Sequence, residues 1–270
     1  MNKDFNKLTK AKNGLLLYNR YDKYIGKSIE LYGEFSELEA EIFRQIVKKE
    51  DTVIEIGANI GTHTLILSNL CENGKVIAFE PQRVVFQTLC ANVALNSKTN
   101  VYTYQRALSN ENGYINIPYL NYDTINNFGG ISLEDVKEGE KVLKQKLDTF
   151  LKDEFEVDKI KLIKIDVEGM ERDVLEGAKE SIKQYKPYIY LENDRRDRSK
   201  ELIEYIFSLG YKAYWHLPPL YNPKNYNNIK ENIFQNLVSV NMLCIPKELN
   251  ITLNGFKEVT DSSFHPMLKR

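Results

Sequence analysis

The chain has 270 residues, 42% of them hydrophobic, and a formal net charge of −1. That length supports one large α/β domain, and the balanced charge gives no basic surface for nucleic acid or an anionic membrane. Its three cysteines, Cys71, Cys90 and Cys244, form no CxxC pair and read as reduced thiols, and no apolar run approaches the roughly 20 residues of a membrane helix.

The first fifty residues read as a helical preface. "FSELEAEIFRQIVKKED" opens with a capping box from Ser36 to Glu39, and Leu38, Ile42, Phe43, Ile46 and Val47 recur at helical spacing. The start, "MNKDFNKLTKAKNG", lacks the apolar core of a signal peptide, which sets the expectation of a cytoplasmic protein. Strand and helix then alternate: "TVIEI", "GTHTLILSNLC", "KVIAFE", "QRVVFQTLCANVALN" and "NVYTYQRAL". From Asn110 to Leu147 the rhythm breaks, with a β-hairpin expected in "ENGYINIPYL" and a loop in "NNFGGISL". It resumes with the strand "IKLIKI", the helix "MERDVLEGAKESIKQY", the strand "PYIYLE", the helix "SKELIEYIFSLG" and the strand "YKAYWH". A polar and aromatic loop, "LPPLYNPKNYNNIKENIF", precedes the closing strand "NLVSVNMLCIP". The expectation is a seven-stranded, mostly parallel sheet with helices on both faces and a small β insertion between strands 3 and 4.

The turn "VIEIGANIGTHT" joins the first strand to the first helix of that sheet. Gly57 and Gly61 permit a sharp turn and a close backbone approach. A dinucleotide fingerprint counted from Gly57 needs glycine at 59 and 62, where Asn59 and Thr62 stand, and no GxxxxGK[ST] occurs. Glu55 at the strand end would repel a pyrophosphate and suits an ammonium or sulfonium ligand, the character of S-adenosylmethionine. Glu80, ending "AFE", can accept hydrogen bonds from both ribose hydroxyls, as acidic residues there also do in NAD sites.

Together "YGEFSELE", "VIEIGANIGTHT", "VIAFEP", "FGGISL", "LDTFL" and "LIKIDVEGMERDVLEGA" resemble the FkbM-type family of S-adenosylmethionine-dependent methyltransferases, of the class I Rossmann-like fold. "PYIYLEND" extends the likeness to about Asp194; the first thirty residues and those past Asp197 carry no matching motif. The resemblance implies S-adenosylmethionine as cofactor. It implies that Glu55, Gly57, Asn59, Gly61 and Thr62 cradle its methionine part, that Glu80 binds its ribose, that Arg106 and Ala107 lie near the adenine, and that Asp166 lies where the methyl is presented. His63 stands where an aromatic residue such as tyrosine is common.

The carboxyl ends of the later strands supply the candidate catalytic residues. Asp166 and Glu168 follow "IKLIKI", and Glu192 ends "PYIYLE". Glu168 reads equally as a helix cap, and Glu192 equally as half of an ion pair. His216 is either a base or a half-exposed strand-end histidine, and His265 is expected to be irrelevant. Such carboxylates can hold Mg²⁺, but no resident metal ion is expected. The loop from Leu217 is expected to face the acceptor.

The resulting expectation is residues 1–50 as a preface of the same domain, 51–250 as the methyltransferase domain and 251–270 as a tail. The expected reaction is methylation of a carbohydrate hydroxyl, on a nucleotide sugar or cell-surface glycan precursor, with capsule polysaccharide biosynthesis as its setting. The expected partners are a small-molecule acceptor, no nucleic acid and no membrane insertion, with a homodimer left open. Methylation of another small metabolite, of an amide or phosphoramide nitrogen, and cofactor binding without turnover remain as alternatives.

Overall fold

The computed structural model describes residues 4–133 and 136–267. In chain order the elements are β1 Asn6–Ala11, β2 Gly14–Asn19, α1 Ile25–Tyr32, α2 Glu37–Ile46, β3 Thr52–Ile56, α3 Thr62–Leu70, β4 Lys75–Phe79, α4 Arg83–Leu95, β5 Val101–Tyr104, β6 Ala107–Leu108, β7 Gly113–Ile117 and β8 Glu140–Gln145. They continue with α5 Leu147–Asp153, β9 Leu162–Ile165, α6 Glu171–Gly177, α7 Lys179–Tyr185, β10 Tyr188–Glu192, α8 Arg196–Ser208, β11 Tyr211–His216, β12 Asn241–Pro246 and β13 Lys257–Glu258.

The main sheet runs β13-β11-β12-β10-β9-β3-β4-β5. Strands β10, β9, β3, β4 and β5 pair in parallel, and β12 lies antiparallel between β10 and β11. The seven strands expected from sequence are β3, β4, β5, β9, β10, β11 and β12, and β13 adds an eighth at one edge. The central strands are buried on both faces, which is why they read as nearly unbroken apolar runs. Ile54, Ile56, Ile163 and Ile165 pack with Leu175, Ile203 and Ile206 of α6 and α8. Val53 and Leu162 point the other way, onto Phe43 of α2 and Leu67 of α3. Chain order reverses at β3, between β4 and β9, so the crevice outside the carboxyl ends of β3 and β9 is the switch point of the sheet.

Four local expectations need correction. The preface is not wholly helical: β1 and β2 form a hairpin whose two-residue turn is Lys12 and Asn13, closed by the Ala11–Gly14 pair. The capping box does not form. Ser36 takes a left-handed conformation, φ 48°, without a side-chain cap bond, and Glu39 is buried instead. Among the described residues the insertion holds no local hairpin: β7 pairs with the distant β8, which also pairs with β6. The helix expected over 170–185 is two helices broken at Ala178. At that break the backbone of Gly177 packs so closely on Ser109 that a Cβ would lie 1.9 Å from the Ser109 carbonyl oxygen.

The tail is part of the fold. His265 is buried, its Nε2 lies 2.9 Å from the Asn193 carbonyl oxygen, and its ring meets Trp215 edge-on. The outer ends of preface and tail, residues 1–3 and 268–270, lie outside the described residues. No helix among the described residues is long and apolar enough to cross a membrane.

Candidate active site

A cavity of about 400 Å³ opens at the switch point. Its floor is the turn after β3. Gly57 and Ala58 both donate their N–H to the Phe79 carbonyl oxygen, at 3.0 and 2.9 Å. Gly57 has φ +80°, and a Cβ there would lie 1.8 Å from the Asp166 carbonyl oxygen, so only glycine lets the two strand ends approach this closely. Asn59, φ 50°, donates its N–H to Glu80 Oε2 at 2.9 Å. Glu80 Oε1 accepts the Gln82 N–H at 2.9 Å, so one carboxylate ties the two loops together. Each oxygen keeps a further lone pair for a hydroxyl.

Glu55 is 1% exposed and accepts a hydrogen bond from Thr64 Oγ1 at 2.6 Å on Oε2. Its Oε1 is buried without a partner. Lys164 stands directly across from Glu55 in the β3–β9 register and projects onto the same face. It is 3% exposed and donates to Asp166 Oδ2 at 3.2 Å. Burial pulls the Lys164 ammonium down, but Asp166, Glu55 and Glu39 together hold it above the ordinary lysine range.

Beyond β9 the chain turns through Glu168, φ 57°, and Gly169, φ 108°. Glu171 Oε1 accepts the N–H groups of Val167 and Gly169, at 3.3 and 3.1 Å. Glu171 thus holds the turn that leads into α6, which has no side-chain cap bond of its own. Glu168 instead turns to Arg195, with Oε2 2.6 Å from Nη2, and Arg195 also reaches Asp194 at 3.4 Å. One oxygen each of Asp166, Glu168 and Glu192 lie within 4.8 Å of one another. Glu192 Oε2 is buried without a partner.

Of the residues singled out from sequence, Glu55, Gly57, Asn59, Thr62, Glu80, Arg106, Ala107, Asp166, Glu168 and Glu192 all line the cavity. Gly61 does not. It sits at the N-cap of α3 with φ +88°, where a Cβ would meet Leu89 at 2.7 Å. Arg106 touches the cavity, but its guanidinium is paired with both Glu154 oxygens, at 2.6 and 2.7 Å, and lies over Tyr104 and Phe150. His216 stays outside the cavity wall. Its Nδ1 is 2.7 Å from Tyr190 Oη, and burial lowers its pKa to about 4, so it is a neutral ring that its position keeps away from the site. His63 lines the cavity as a neutral ring, its pKa lowered to about 3 by burial and by Lys164. From the expected acceptor loop only Leu220 reaches the cavity, joined by Leu237–Asn241. The rest is fastened to the segment of α1: Glu34 accepts hydrogen bonds from Asn222 Nδ2 and the Tyr226 N–H, at 2.7 and 3.0 Å.

Lys164, Glu39 and Gln82 are wall residues that sequence reasoning passed over. A lysine inside the apolar run "LIKI" was a usable signal. Glu39 was hidden by its fit to a capping box, and Gln82 gave no signal.

Burial raises the carboxyls of Glu39, Glu55 and Glu80 to about 7, while Lys164 opposes the shift in all three. Glu168 rises to about 8, by burial and then by Asp166 and Asp194, against Arg195. Glu192 is pushed well above the carboxylate range by burial and the same neighbours. An acid raised in the fold adds stability that is complete below its unfolded pKa and lost as pH rises through the folded one. Without cofactor, that stability is therefore lost from about pH 4.5 upward and mostly gone by about pH 8, so the melting temperature is expected to fall between about pH 6.5 and pH 8, with a slope in stability of at most about 1.4 kcal/mol per group per pH unit. The histidines, already neutral, add nothing over that range. Calorimetric melts would show it; a flat or rising profile would contradict the burial of these acids.

The methyltransferase FkbM domain model matches residues 55–213, more than half of the chain. This chain belongs to the FkbM methyltransferase family. Methyltransferase 1 of Beauveria bassiana is 26% identical over 144 residues, covering 46% of this chain and 57% of that protein. Methyltransferase sdnD of Sordaria araneosa is 29% identical over 157 residues, covering 47% and 60%. The chain thus spans under two thirds of the length of these curated relatives. Among solved structures, the FkbM methyltransferase of Methylobacillus flagellatus shares the fold at a TM-score of 0.50 and 16% identity, over 76% of this chain and 50% of that one.

The cofactor that goes with this FkbM family is S-adenosylmethionine, and the residues present fit it. The unpartnered Glu55 Oε1 can take an ammonium, the Gly57 turn leaves room for a close approach, and Glu80 has acceptor capacity for ribose hydroxyls.

Proposed function

We propose that this chain is an S-adenosylmethionine-dependent methyltransferase that methylates a hydroxyl of a carbohydrate. The observation that carries this reading is one cavity in which the Gly57–Glu80 cradle and the cluster of Asp166, Glu168 and Glu192 face each other. S-adenosylmethionine, when bound, supplies a methyl group already activated on a sulfonium centre. The protein's part is to align a nucleophile and to accept its proton. Alignment can supply several kcal/mol, and a positioned base about 10²–10⁴-fold.

In this reading Asp166, ion-paired with Lys164, accepts the hydroxyl proton. Glu168, pushed up to about 8, and Glu192, raised by burial, orient the acceptor by hydrogen bonds. Seven carboxylates line the cavity: Glu39, Glu55, Glu80, Asp166, Glu168, Glu192 and Asp194. Its cations, Lys164, Arg106 and Arg195, are each paired with a carboxylate. This lining suits an uncharged sugar ring; the phosphates of a nucleotide sugar would have to stay outside. The acidic cluster also suits a nitrogen nucleophile that must lose a proton, which keeps N-methylation as the second reading.

The test is release of S-adenosylhomocysteine across a panel of neutral glycans, nucleotide sugars and amides. Turnover on a neutral glycan supports the proposal. Turnover on amides alone supports the second reading, and cofactor binding without turnover on any acceptor removes both. We also expect full activity after exhaustive chelation. Loss of activity, rescued by a divalent ion, would instead assign an ion to Asp166, Glu168 and Glu192.

A further inference from the structure

Gln82 lies two residues past Glu80 and is 6% exposed at the cavity wall. Its Nε2 donates to the Phe128 carbonyl oxygen at 2.9 Å, which sets the amide's orientation. Its Oε1 is then buried without a partner. Gln82 also occupies the N-cap of α4, yet makes no side-chain cap bond, so the nearest local donors are not used. A buried carbonyl oxygen left without a donor destabilises the fold, so its persistence beside a cavity points to a donor that arrives with a ligand.

The neighbouring groups say which donor. The Gln82 N–H is tied to Glu80 Oε1, so the amide and the ribose-binding carboxylate move as one piece. Gln82 lines the same cavity wall as Glu80, within a nucleoside's reach of it. Phe128, the residue Gln82 holds, opens the glycine loop, and Gly129, Gly130 and Ile131 of that loop form the adjoining wall. A Cβ on Gly129 would meet Asn59 Nδ2 at 3.0 Å and Ile25 Cδ1 at 3.3 Å, so the loop lies against the cofactor turn itself. Arg106, the other polar side chain expected near the base, is committed to Glu154.

We propose that Gln82 is the base-reading residue of the cofactor site: its Oε1 accepts the exocyclic amino group of adenine, while its Nε2 holds the "FGGISL" loop over the base. This rests on the S-adenosylmethionine reading of the cavity. A hypoxanthine base presents a carbonyl oxygen where adenine presents the amino group, and two acceptors would then face each other. Discrimination by a site built to pair one polar group exceeds what an apolar wall gives, because the mismatched group stays buried and unpaired.

The experiment is titration calorimetry of S-adenosylhomocysteine and S-inosylhomocysteine into the wild-type chain, Gln82→Met and Gln82→Glu, each checked for folding by circular dichroism. The wild type is expected to prefer the adenine form by about 10- to 100-fold, and Gln82→Met to lose that preference to within about threefold. Gln82→Glu keeps an acceptor oxygen and loses the donor to Phe128, so it is expected to retain the preference. Equal binding of the two ligands by the wild type overturns the proposal. So does a Gln82→Met variant that weakens for both ligands with the ratio intact, since Gln82 would then only tether the loop. If Gln82→Met fails to fold, the wild-type ratio and Gln82→Glu still decide. Failure of S-adenosylhomocysteine to bind the wild type at all would instead strike the cofactor reading.

Discussion

Asp166→Asn is expected to lower turnover by about 10²–10⁴-fold while the protein stays folded and still binds cofactor. The substitution keeps the side chain's volume and removes its charge. Asp166 is the first residue past β9, and its side chain is 43% exposed, facing the cavity. Its backbone is fixed from two sides: its N–H donates to Ile56 at 3.0 Å, and its carbonyl oxygen abuts Gly57. Neither contact involves the carboxylate, so the strand end keeps its place. Lys164 loses one partner but stays beside Glu55 and Glu39, so its charge is not stranded. The loss should therefore fall on kcat. Near-normal turnover would remove Asp166 from the active site, and loss of folding would make it a structural partner of Lys164.

The second large effect is expected at Glu80. Glu80→Ala should weaken S-adenosylmethionine binding by about 100-fold or more, as expected when several hydrogen bonds to a charged group are lost. Two of those bonds are internal, to the N–H groups of Asn59 and Gln82, and their loss frees the turn that forms the cavity floor. The rest are the bonds to ribose that the carboxylate would make. Glu80→Gln should fall between, since one amide end must turn a donor toward a backbone N–H. Cofactor binding unchanged in Glu80→Ala would place the ribose elsewhere.

Much of the sheet was legible because its central strands are buried on both faces, and "TVIEI", "KVIAF" and "LIKI" carry that burial as composition. The glycine turn was legible because Gly57 stands where no Cβ fits. Pairings between distant segments were not. β7 looks like half of a hairpin, but its partner β8 begins at Glu140, and only the three-stranded side sheet makes that choice. Side-chain direction was also hidden. Glu39 has the spacing of a capping box, yet α2 turns it into the cavity toward Asn241 and Ser36. Arg106 sits at the expected place in the chain, but Glu154, brought by α5, takes its guanidinium. In "DVEGMERD" Glu168 read equally as a helix cap; its left-handed turn sends it to Arg195 instead, while Glu171 holds the turn itself. For β7, Glu39 and Arg106 a competing contact comes from residues far away in sequence.

The central claim is that the cavity at the switch point holds S-adenosylmethionine through the Gly57–Glu80 cradle. Calorimetric titration of S-adenosylmethionine and, separately, NAD into the wild-type chain and Glu80→Ala tests it most directly. The expected result is saturable one-to-one binding of S-adenosylmethionine by the wild type, no heat with NAD, and binding lost or strongly weakened in Glu80→Ala. Silence with S-adenosylmethionine, binding of NAD in its place, or undiminished binding by Glu80→Ala would contradict it.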